Sequence, residues 1–399
     1  MNCFRKLYCR TYQIVFRIAL PVLPYRNPEL LRGIDELPKL FRKKGIKRVL
    51  LVTDKSIRNL GITEHLEKAL GDERIKCAVY DKTVANPTTD NVEEAVSMFK
   101  KYKCQALIGF GGGSSIDCAK AVGARVVKPG KSLAKMKGIL KVCKRLPMLV
   151  AIPTTAGTGS ETTLAAVITD SGTRHKYPIN DFSLIPHYAV LDPEVTRSLP
   201  KGITATTGMD ALTHAVEAYI GRSTTKETRT QAIEAVQLIF DNIQKVYENG
   251  NDMEARRNML YASYLAGCAF TKSYVGYVHA VAHSLGGRYN VPHGLANAVL
   301  LPYVLEDYGP SAYKKLHELA VAIGISNFNE SHKAGAEKFI AAVKEMKINL
   351  DIPEKIKGIR KKDIPRLALY ADREGNPLYP VPRLMDDTEL RKFYYKVME

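Results

Sequence analysis

The first half of the chain alternates between short apolar segments and segments with helical spacing, and this alternation limits the folds open to it. Four segments rich in aliphatic residues are predicted strands: RVLLVTD (48–54), IKCAVYD (75–81), CQALIGFGGG (104–113) and LPMLVAIPTT (146–155). The segments NVEEAVSMFKKYK (91–103) and SSIDCAKAVGARVV (114–127) have helical spacing. Continuous apolar strands that alternate with helices are typical of a parallel sheet covered on both faces. The sequence therefore predicts an α/β fold for this half.

The pattern changes after the segment LDPEVTRSLP (191–200). Long helical patterns follow, such as ITATTGMDALTHAVEAYI and KETRTQAIEAVQLIFDNIQKVYE, and no further β-branched strand is evident. A chain of 399 residues is long enough for two domains. We therefore predict an α/β domain over residues 1–199, with a basic N-terminal extension over about residues 1–30, and an all-helical domain over residues 200–399.

The formal net charge of +18 is concentrated in two stretches. Residues 1–48 carry twelve Lys or Arg against three acidic residues, and residues 118–160 carry nine with no acidic residue. Such a field attracts polyanions. No nucleic-acid-binding motif accompanies it, and the basic residues are not interleaved with aromatic ones. We therefore expect no nucleic-acid partner, and a polyanion-binding protein remains an alternative that rests on charge alone.

The cysteines and the N-terminus indicate a cytoplasmic protein. The seven Cys are scattered, odd in number and form no CxxC motif, which favours free thiols in a reducing compartment. Arg17 interrupts the apolar run near the N-terminus, and no small-residue cleavage site follows it. We expect this segment to form an amphipathic helix that packs on the protein or on a partner subunit, and we expect no membrane partner.

Two loops of small residues follow predicted strands. GFGGGSSID (109–117) joins a strand to a helix, so its glycines let the backbone approach a phosphate at the start of that helix. Ser114 stands where a G-x-G-x-x-G fingerprint has its last Gly, and PTTAGTGSE (153–161) forms the second loop. A tight turn is the alternative for the first loop, and an ordinary strand-to-helix turn with a Ser or Thr cap is the alternative for the second. Asp54 ends another strand, where it suits either a ribose contact or a helix cap.

A predicted apolar helix, GMDALTHAVEAY (208–219), carries Asp210 and His214 one turn apart on the same face. A buried carboxylate needs a partner, either a hydrogen bond within the core or a metal ion. Three more histidines lie in YVHAVAHSLGGRYNVPHG (277–294). Asp210, His214 and two of those three histidines would supply four ligands to a divalent ion.

Four motifs, GFGGGSSID, AIPTTAGTGSE, GMDALTHAVEAY and VHAVAHSLGGRYNVPHG, occur in this order and together resemble the iron-containing (group III) alcohol dehydrogenase family. The resemblance runs from about residue 47 to the end and includes ANPT (85–88) and the late Asn376-Pro377. It implies a dehydroquinate synthase-like fold, with a nucleotide-binding α/β domain, a helical metal-binding domain and a cleft between them.

The resemblance also assigns residues to functions. It implies that the metal ligands are Asp210, His214, His279 and His293, and that His283 lines the site without being a first-choice ligand. As a hypothesis of mechanism, we expect His283 to relay a proton to solvent. The resemblance implies cofactor contacts at Asp54, Asn86, Gly112, Gly113, Ser114, Asp117, Thr154, Thr155, Thr158 and Lys176. An acidic residue at position 54 favours NAD over NADP within the family.

The implied activity is that of an NAD(H)-dependent, metal-dependent alcohol dehydrogenase or aldehyde reductase acting on a primary alcohol or small diol. The implied metal is Fe²⁺, with Zn²⁺ as an alternative. A polyol (glycerol-type) dehydrogenase and a dehydroquinate synthase-like enzyme are alternatives on the same fold. The family implies a homodimer, although NPELLRGIDELPKLF (27–41) keeps only Gly33 of the usual N-terminal strand and G-x-G element.

Overall fold

A computed structural model describes residues 1–399 and divides them into two compact units. We call residues Pro24–Ser198 the sheet unit. The helical unit comprises Met1–Leu23 together with Leu199–Glu399. It begins with helix α1 (Cys3–Ala19).

The sheet unit contains nine strands and six helices. The strands are β1 (Glu29–Leu31), β2 (Arg48–Val52), β3 (Lys76–Tyr80), β4 (Ala106–Gly111), β5 (Gly138–Ile139), β6 (Met148–Pro153), β7 (Ala165–Thr169), β8 (Lys176–Asn180) and β9 (Tyr188–Val190). The helices are α2 (Glu36–Lys43), α3 (Lys55–Asn59), α4 (Glu64–Asp72), α5 (Thr89–Lys101), α6 (Gly113–Val127) and α7 (Leu133–Met136).

Six of these strands form one sheet in the order β1-β9-β6-β4-β2-β3, and every neighbouring pair is parallel. The four predicted strands are all present in it, as β2, β3, β4 and β6. Successive residues of β2 alternate between two apolar clusters on opposite faces of the sheet: Val49 and Leu51 belong to one, Leu50 and Val52 to the other. Burial on both faces explains why the strand is a continuous apolar run. The predicted fold class is confirmed.

Two features of the sheet unit were not predicted. A second, three-stranded sheet has the order β5-β8-β7, with β7 antiparallel to β8. Strand β5 has only two residues, β8 contains Pro178, and β7 and β8 bury only alternate residues, so this sheet lacks the longer apolar runs by which the main strands were predicted. The segment expected to lack the family's N-terminal strand retains a short one, β1, which pairs with β9 at the edge of the main sheet.

The helical unit continues after α1 with nine further helices. These are α8 (Lys201–Ile220), α9 (Lys226–Glu248), α10 (Met253–Ser273), α11 (Tyr277–Tyr289), α12 (His293–Tyr308), α13 (Tyr313–Ala322), α14 (His332–Asn349), α15 (Ile364–Gly375) and α16 (Asp387–Val397). Helix α8 lies at the centre, because it packs on α9, α10 and α12. Every residue from Gly208 to Ile220 is buried, as expected of a helix that is apolar on all sides.

The predicted grouping of the N-terminal extension with the α/β domain does not hold for helix α1. The helix packs instead within the helical unit, where the Arg5 guanidinium donates two hydrogen bonds of 2.8 and 2.7 Å to the buried Asp372 carboxylate. Cys9 and Gln13 are buried on the same side of α1, whereas Phe4 and Ile18 are exposed. Composition indicated an amphipathic helix, but it carried no information on which unit the helix contacts. No helix in the structure is both long and apolar enough to cross a bilayer.

We predict that Leu107→Ala destabilises the sheet unit by about 2–5 kcal/mol, because Leu107 is fully buried in a central strand and its truncation leaves a cavity. Leu60→Ala is the matched control, since Leu60 is 60% exposed and the same change there costs less than about 0.5 kcal/mol. Urea unfolding of both variants followed by circular dichroism measures the difference. Equal midpoints for the two variants would contradict this account of the core.

Candidate metal centre and cofactor loops

Four side chains of the helical unit bring their ligand atoms together. Asp210, His214, His279 and His293 each offer one such atom, and these atoms lie within 4.8 Å of one another. Asp210, His214 and His279 are buried, and the His293 side chain is partly exposed. Spacing alone left open which two of the three later histidines join Asp210 and His214, and the family resemblance implied His279 and His293. The structure places these two histidines beside Asp210 and His214.

Close packing of α12 on α8 places His293 beside Asp210. Gly294 stands next to the Thr206 carbonyl, which a Cβ at position 294 would overlap. His293 Nε2 consequently lies 3.4 Å from Asp210 Oδ1. The Asn297 amide donates a 2.6 Å hydrogen bond to the same carboxylate oxygen, so Asp210 is oriented by a residue one turn further along α12.

A buried carboxylate, Glu217, fixes the orientation of His279. Glu217 accepts backbone hydrogen bonds from Gly276 (2.7 Å) and Val278 (2.8 Å), and its Oε2 lies 2.7 Å from His279 Nδ1. His279 Nδ1 therefore carries the proton and donates it to the carboxylate, which leaves Nε2 as a lone-pair donor. That Nε2 is buried without a hydrogen-bond partner and lies 3.9 Å from Asp210 Oδ1.

The protonation states of this pair follow from burial. Desolvation raises the pKa of Glu217 to about 7, against the opposing effect of its hydrogen bonds from the Gly276 and Val278 amides. Desolvation and the neighbouring His214, His293 and His283 hold the pKa of His279 well below its usual value. The His279 imidazole is therefore neutral at pH 7, which is the form that binds metals.

His283 lies at the edge of this cluster. Its ring stacks on that of His293, with centroids 5.0 Å apart, and its side chain is 43% exposed. Its Nδ1 lies 2.5 Å from Glu374 Oε1, and the Tyr379 hydroxyl donates a 2.7 Å hydrogen bond to the same oxygen. Desolvation opposes ionisation of Glu374, but the charge of His283 and these hydrogen bonds outweigh it and lower the pKa of that carboxyl.

In the sheet unit, the two predicted loops meet at the carboxyl ends of β4 and β6. Gly111 has φ +146°, and a Cβ there would lie 2.7 Å from Ser115 Oγ, so the turn into α6 requires glycine. A Cβ at Gly113 would lie 3.2 Å from Thr158 Oγ1, which shows how closely the second loop approaches α6. Thr154 follows β6 and is buried, and the buried Thr155 hydroxyl has no hydrogen-bond partner.

Three other expected cofactor residues surround the start of α6. Asn86 has φ +58°, its backbone N–H donates to Ser114 Oγ (3.2 Å), and its side-chain oxygen accepts a 2.5 Å hydrogen bond from Lys176 Nζ. Asp54 Oδ1 caps α3 by accepting from the Ser56 and Ile57 amides, and its Oδ2 accepts from Ser115 Oγ at 3.3 Å. The capping alternative for Asp54 is therefore realised, and its second oxygen still faces the glycine loop.

Asp117 and Lys120 connect α6 to the second loop. Asp117 accepts hydrogen bonds from Ser160 Oγ (2.7 Å) and the Val167 amide (2.9 Å), so both carboxylate oxygens have partners inside the protein. The buried Lys120 ammonium donates to Thr163 Oγ1 (2.8 Å) and to the backbone carbonyls of residues 163 and 165. Desolvation lowers the pKa of Lys120 to about 8.

Sequence reasoning missed Glu217, Glu374, Tyr379 and Lys120. Glu217 carried a usable signal, because it lies seven residues after Asp210 and shares that face of α8. Glu374 and Tyr379 belong to a segment far along the chain from His283, so periodicity offered no sign of their contact.

Comparisons with known proteins agree with this architecture. Residues 32–193 match the profile described as iron-containing alcohol dehydrogenase, and residues 204–398 match that of the Fe-containing alcohol dehydrogenase family, C-terminal. The 1,3-propanediol dehydrogenase of Klebsiella pneumoniae is 36% identical over 384 residues, 95% of this chain and 98% of the relative. The NAD-dependent methanol dehydrogenase of Bacillus methanolicus is 38% identical over 341 residues, 85% of this chain and 89% of the relative.

Solved structures show the same fold. A crystal structure of 1,3-propanediol oxidoreductase superposes with a TM-score of 0.89 at 35% identity and covers 94% of this chain and 99% of that one. A sulfoacetaldehyde reductase from Bifidobacterium kashiwanohense in complex with NAD⁺ has a TM-score of 0.83 at 27% identity, with 94% and 98% coverage.

The fold and these relatives define an oxidoreductase of the alcohol dehydrogenase class. The chain belongs to the iron-containing alcohol dehydrogenase family, as the sequence resemblance implied.

We predict that the metal-free wild-type protein loses stability relative to its Glu217→Gln variant as pH rises from about 4.5 to 7. Folding raises the pKa of Glu217 from 4.5 to about 7, so the folded state binds more protons than the unfolded state in this window. The contribution is at most about 3 kcal/mol, and Glu217→Gln removes it. Urea unfolding in chelator at several pH values measures the slope.

The exposed Glu254→Gln on α10 is the matched control, and it should keep the wild-type slope. A Glu217→Gln slope equal to that of the wild type would show that this carboxyl does not titrate as described.

Proposed function

We propose that this chain is an NAD(H)-dependent, metal-dependent alcohol dehydrogenase that interconverts a primary alcohol or small diol with its aldehyde. The observation that carries the proposal is the convergence of one carboxylate and three imidazoles within 4.8 Å in the helical unit. The names of two relatives, a 1,3-propanediol dehydrogenase and a methanol dehydrogenase, favour short substrates.

The donor set suits a divalent transition metal. The buried, unpartnered Nε2 of His279 is oriented by Glu217 as such a ligand needs to be, and Asp210, His214 and His293 complete the set. We assign Fe²⁺ as the metal, with Zn²⁺ as the alternative that nitrogen-rich sites also accept. When bound, such an ion supplies Lewis-acid polarisation of the substrate oxygen.

The sheet unit holds the dinucleotide in this proposal. Gly112, Gly113 and Ser114 present backbone N–H groups at the start of α6, where a pyrophosphate binds favourably. Thr154, Thr155 and Thr158 form the opposing loop, and the unpartnered hydroxyl of Thr155 suits a cofactor oxygen. Asn86 is hydrogen-bonded to Ser114 and to Lys176, so we assign Asn86 and Lys176 to the cofactor site as well. Asp117 holds the second loop in place by accepting a hydrogen bond from Ser160.

His283 moves the proton. It is half-exposed beside His293, and the hydrogen bond between its Nδ1 and Glu374 fixes the orientation of the ring. Alcohol oxidation releases one proton and transfers one hydride from the carbinol carbon to C4 of the nicotinamide. We assign His283 to accept that proton and pass it to water.

The remaining assignments concern the compartment, the oligomeric state, the partners and the alternative activity of the enzyme. The family and the free thiols favour a cytoplasmic enzyme, and the family favours a homodimer. No nucleic-acid partner is proposed, because the basic surface has no accompanying motif. The match to alcohol dehydrogenases over most of the chain favours this activity over a dehydroquinate synthase-like one.

We predict that His279→Ala loses both metal binding and turnover, because it removes one of four ligands and leaves Glu217 buried without its imidazole partner. Turnover should fall by at least about a thousandfold, a loss of about 4 kcal/mol in transition-state stabilisation. Metal content after gel filtration and NADH oxidation with butanal are the measurements. The exposed His332→Ala is the control, and a metal-free but active His279→Ala enzyme would refute the assignment.

We predict that Asp54→Asn shifts cofactor preference toward NADP without loss of stability. The amide oxygen can still cap α3, whereas the negative charge that repels a 2′-phosphate is gone. The ratio of kcat/KM for NADPH to that for NADH should rise about tenfold or more, a change of about 1.4 kcal/mol. Steady-state kinetics and a thermal melt separate the two effects, and an unchanged ratio would mean that Asp54 serves only as a cap.

A further inference from the structure

We propose that helix α1 positions the proton-transfer end of the active site, with Gln13 as the positioning residue. The inference rests on the function proposed above, because it concerns the orientation of the His283 ring, to which that function assigns proton transfer. Helix α1 precedes both regions that match the family, residues 32–193 and 204–398, so it adds to the family's matched domains.

Gln13 holds the segment that carries Tyr379. Its side chain is buried, and its amide nitrogen donates hydrogen bonds to the backbone carbonyls of Tyr379 (2.8 Å) and Pro377 (3.1 Å). Its amide oxygen accepts a 2.7 Å hydrogen bond from the Arg10 guanidinium. The Gln13 amide therefore has partners on both of its polar atoms, and its orientation is fixed.

Arg10 binds the same segment a few residues further along the chain. Its guanidinium donates to the carbonyls of Val381 (2.8 Å) and Pro382 (2.9 Å). Two side chains one turn apart on α1 thus bind four carbonyls between residues 377 and 382. Buried carbonyls of a loop need such partners, and here α1 provides them.

An aromatic contact supports the same segment. The ring of Phe16 on α1 meets Tyr274 edge-on, with centroids 5.0 Å apart, and Tyr274 in turn lies 6.4 Å from Tyr379. Tyr274 has φ +60°, a conformation that a bulky residue keeps only where its surroundings enforce it. Phe16 is part of those surroundings.

Tyr379 passes this constraint to the active site. Its hydroxyl donates to Glu374 Oε1 (2.7 Å), the oxygen that also binds His283 Nδ1 (2.5 Å). Desolvation and the Glu374 carboxylate raise the pKa of Tyr379 well above its usual value, so the hydroxyl remains a donor at neutral pH. If the segment shifts, the Tyr379 hydroxyl moves away from Glu374 Oε1. The Glu374 carboxylate and the His283 ring bound to it then lose their fixed orientation.

A double-mutant cycle between Gln13 and Tyr379 tests the inference. Gln13→Met keeps the side-chain volume and removes both donated hydrogen bonds, and Tyr379→Phe removes only the hydroxyl. Each should lower kcat about tenfold, as expected when a proton-transfer group loses its alignment. KM for NADH should stay within about twofold, since the proposed function assigns the dinucleotide to the sheet unit, whereas Gln13 and Tyr379 lie in the helical unit.

The double variant decides whether Gln13 acts through Tyr379. If it does, the double variant has the kcat of Tyr379→Phe alone, within about twofold. Multiplied losses of about a hundredfold, or a Gln13→Met enzyme with the kcat of the wild type, would overturn the inference. Ile18→Ala, on the exposed face of the same helix, is the control and should leave kcat unchanged.

Hydrogen exchange gives a readout that is independent of activity. The peptide covering residues 376–382 should exchange about tenfold faster in Gln13→Met than in the wild type, and at the wild-type rate in Ile18→Ala. Unchanged exchange in Gln13→Met overturns the inference, whereas a wild-type protein without NAD-linked turnover overturns the proposed function. If Gln13→Met does not fold, Arg10→Met replaces it in the cycle and is judged by the same criteria.

Discussion

The helical unit is organised around two carboxylates buried on one face of α8, Asp210 and Glu217. Buried carboxylates require partners, and each recruits a different part of the chain. Glu217 takes backbone hydrogen bonds at the start of α11 and thereby orients His279. Asp210 takes a hydrogen bond from Asn297 on α12, where Gly294 lets the two helices touch. The placement of His279 and His293 beside Asp210 and His214 follows from the hydrogen bonds that these two carboxyl groups require.

The sheet unit also has charged side chains beside its proposed cofactor site, Asp117 and the buried Lys120. Parallel strands place the ends of β2, β4 and β6 at one edge, and the loops that follow must hold a polyanionic cofactor in the proposed function. Helix α6 offers its N-terminus there, while Asp117 and Lys120 tie its side to the second loop. The basic stretch of residues 118–160, which runs into this loop, would attract an anionic cofactor, and it is also part of the basic character of the whole chain.

The sequence was informative where physical demands are local. Continuous apolar runs predicted the parallel strands, and the one-turn spacing of Asp210 and His214 predicted a shared face. Spacing left open which later histidines join them, because that depends on the packing of α12 against α8, and only the family resemblance named His279 and His293. Glu374 and Tyr379 lie about ninety residues beyond His283, and the contacts of Gln13 span more than 360 residues, so no local pattern encodes them. The strands of the second sheet lack the longer apolar runs of the main sheet, and β8 contains Pro178, so they were not recognised.

The central claim is that one divalent ion at the Asp210–His214–His279–His293 centre supports NAD-linked alcohol chemistry. Its most direct test is an anaerobic titration of chelator-treated protein with Fe²⁺, in which NADH oxidation by a short aldehyde is measured at each addition. The account predicts activity that rises linearly and stops rising at about one ion per chain, because one set of four ligands takes one ion. Full activity in the chelated protein before any Fe²⁺ is added would contradict it.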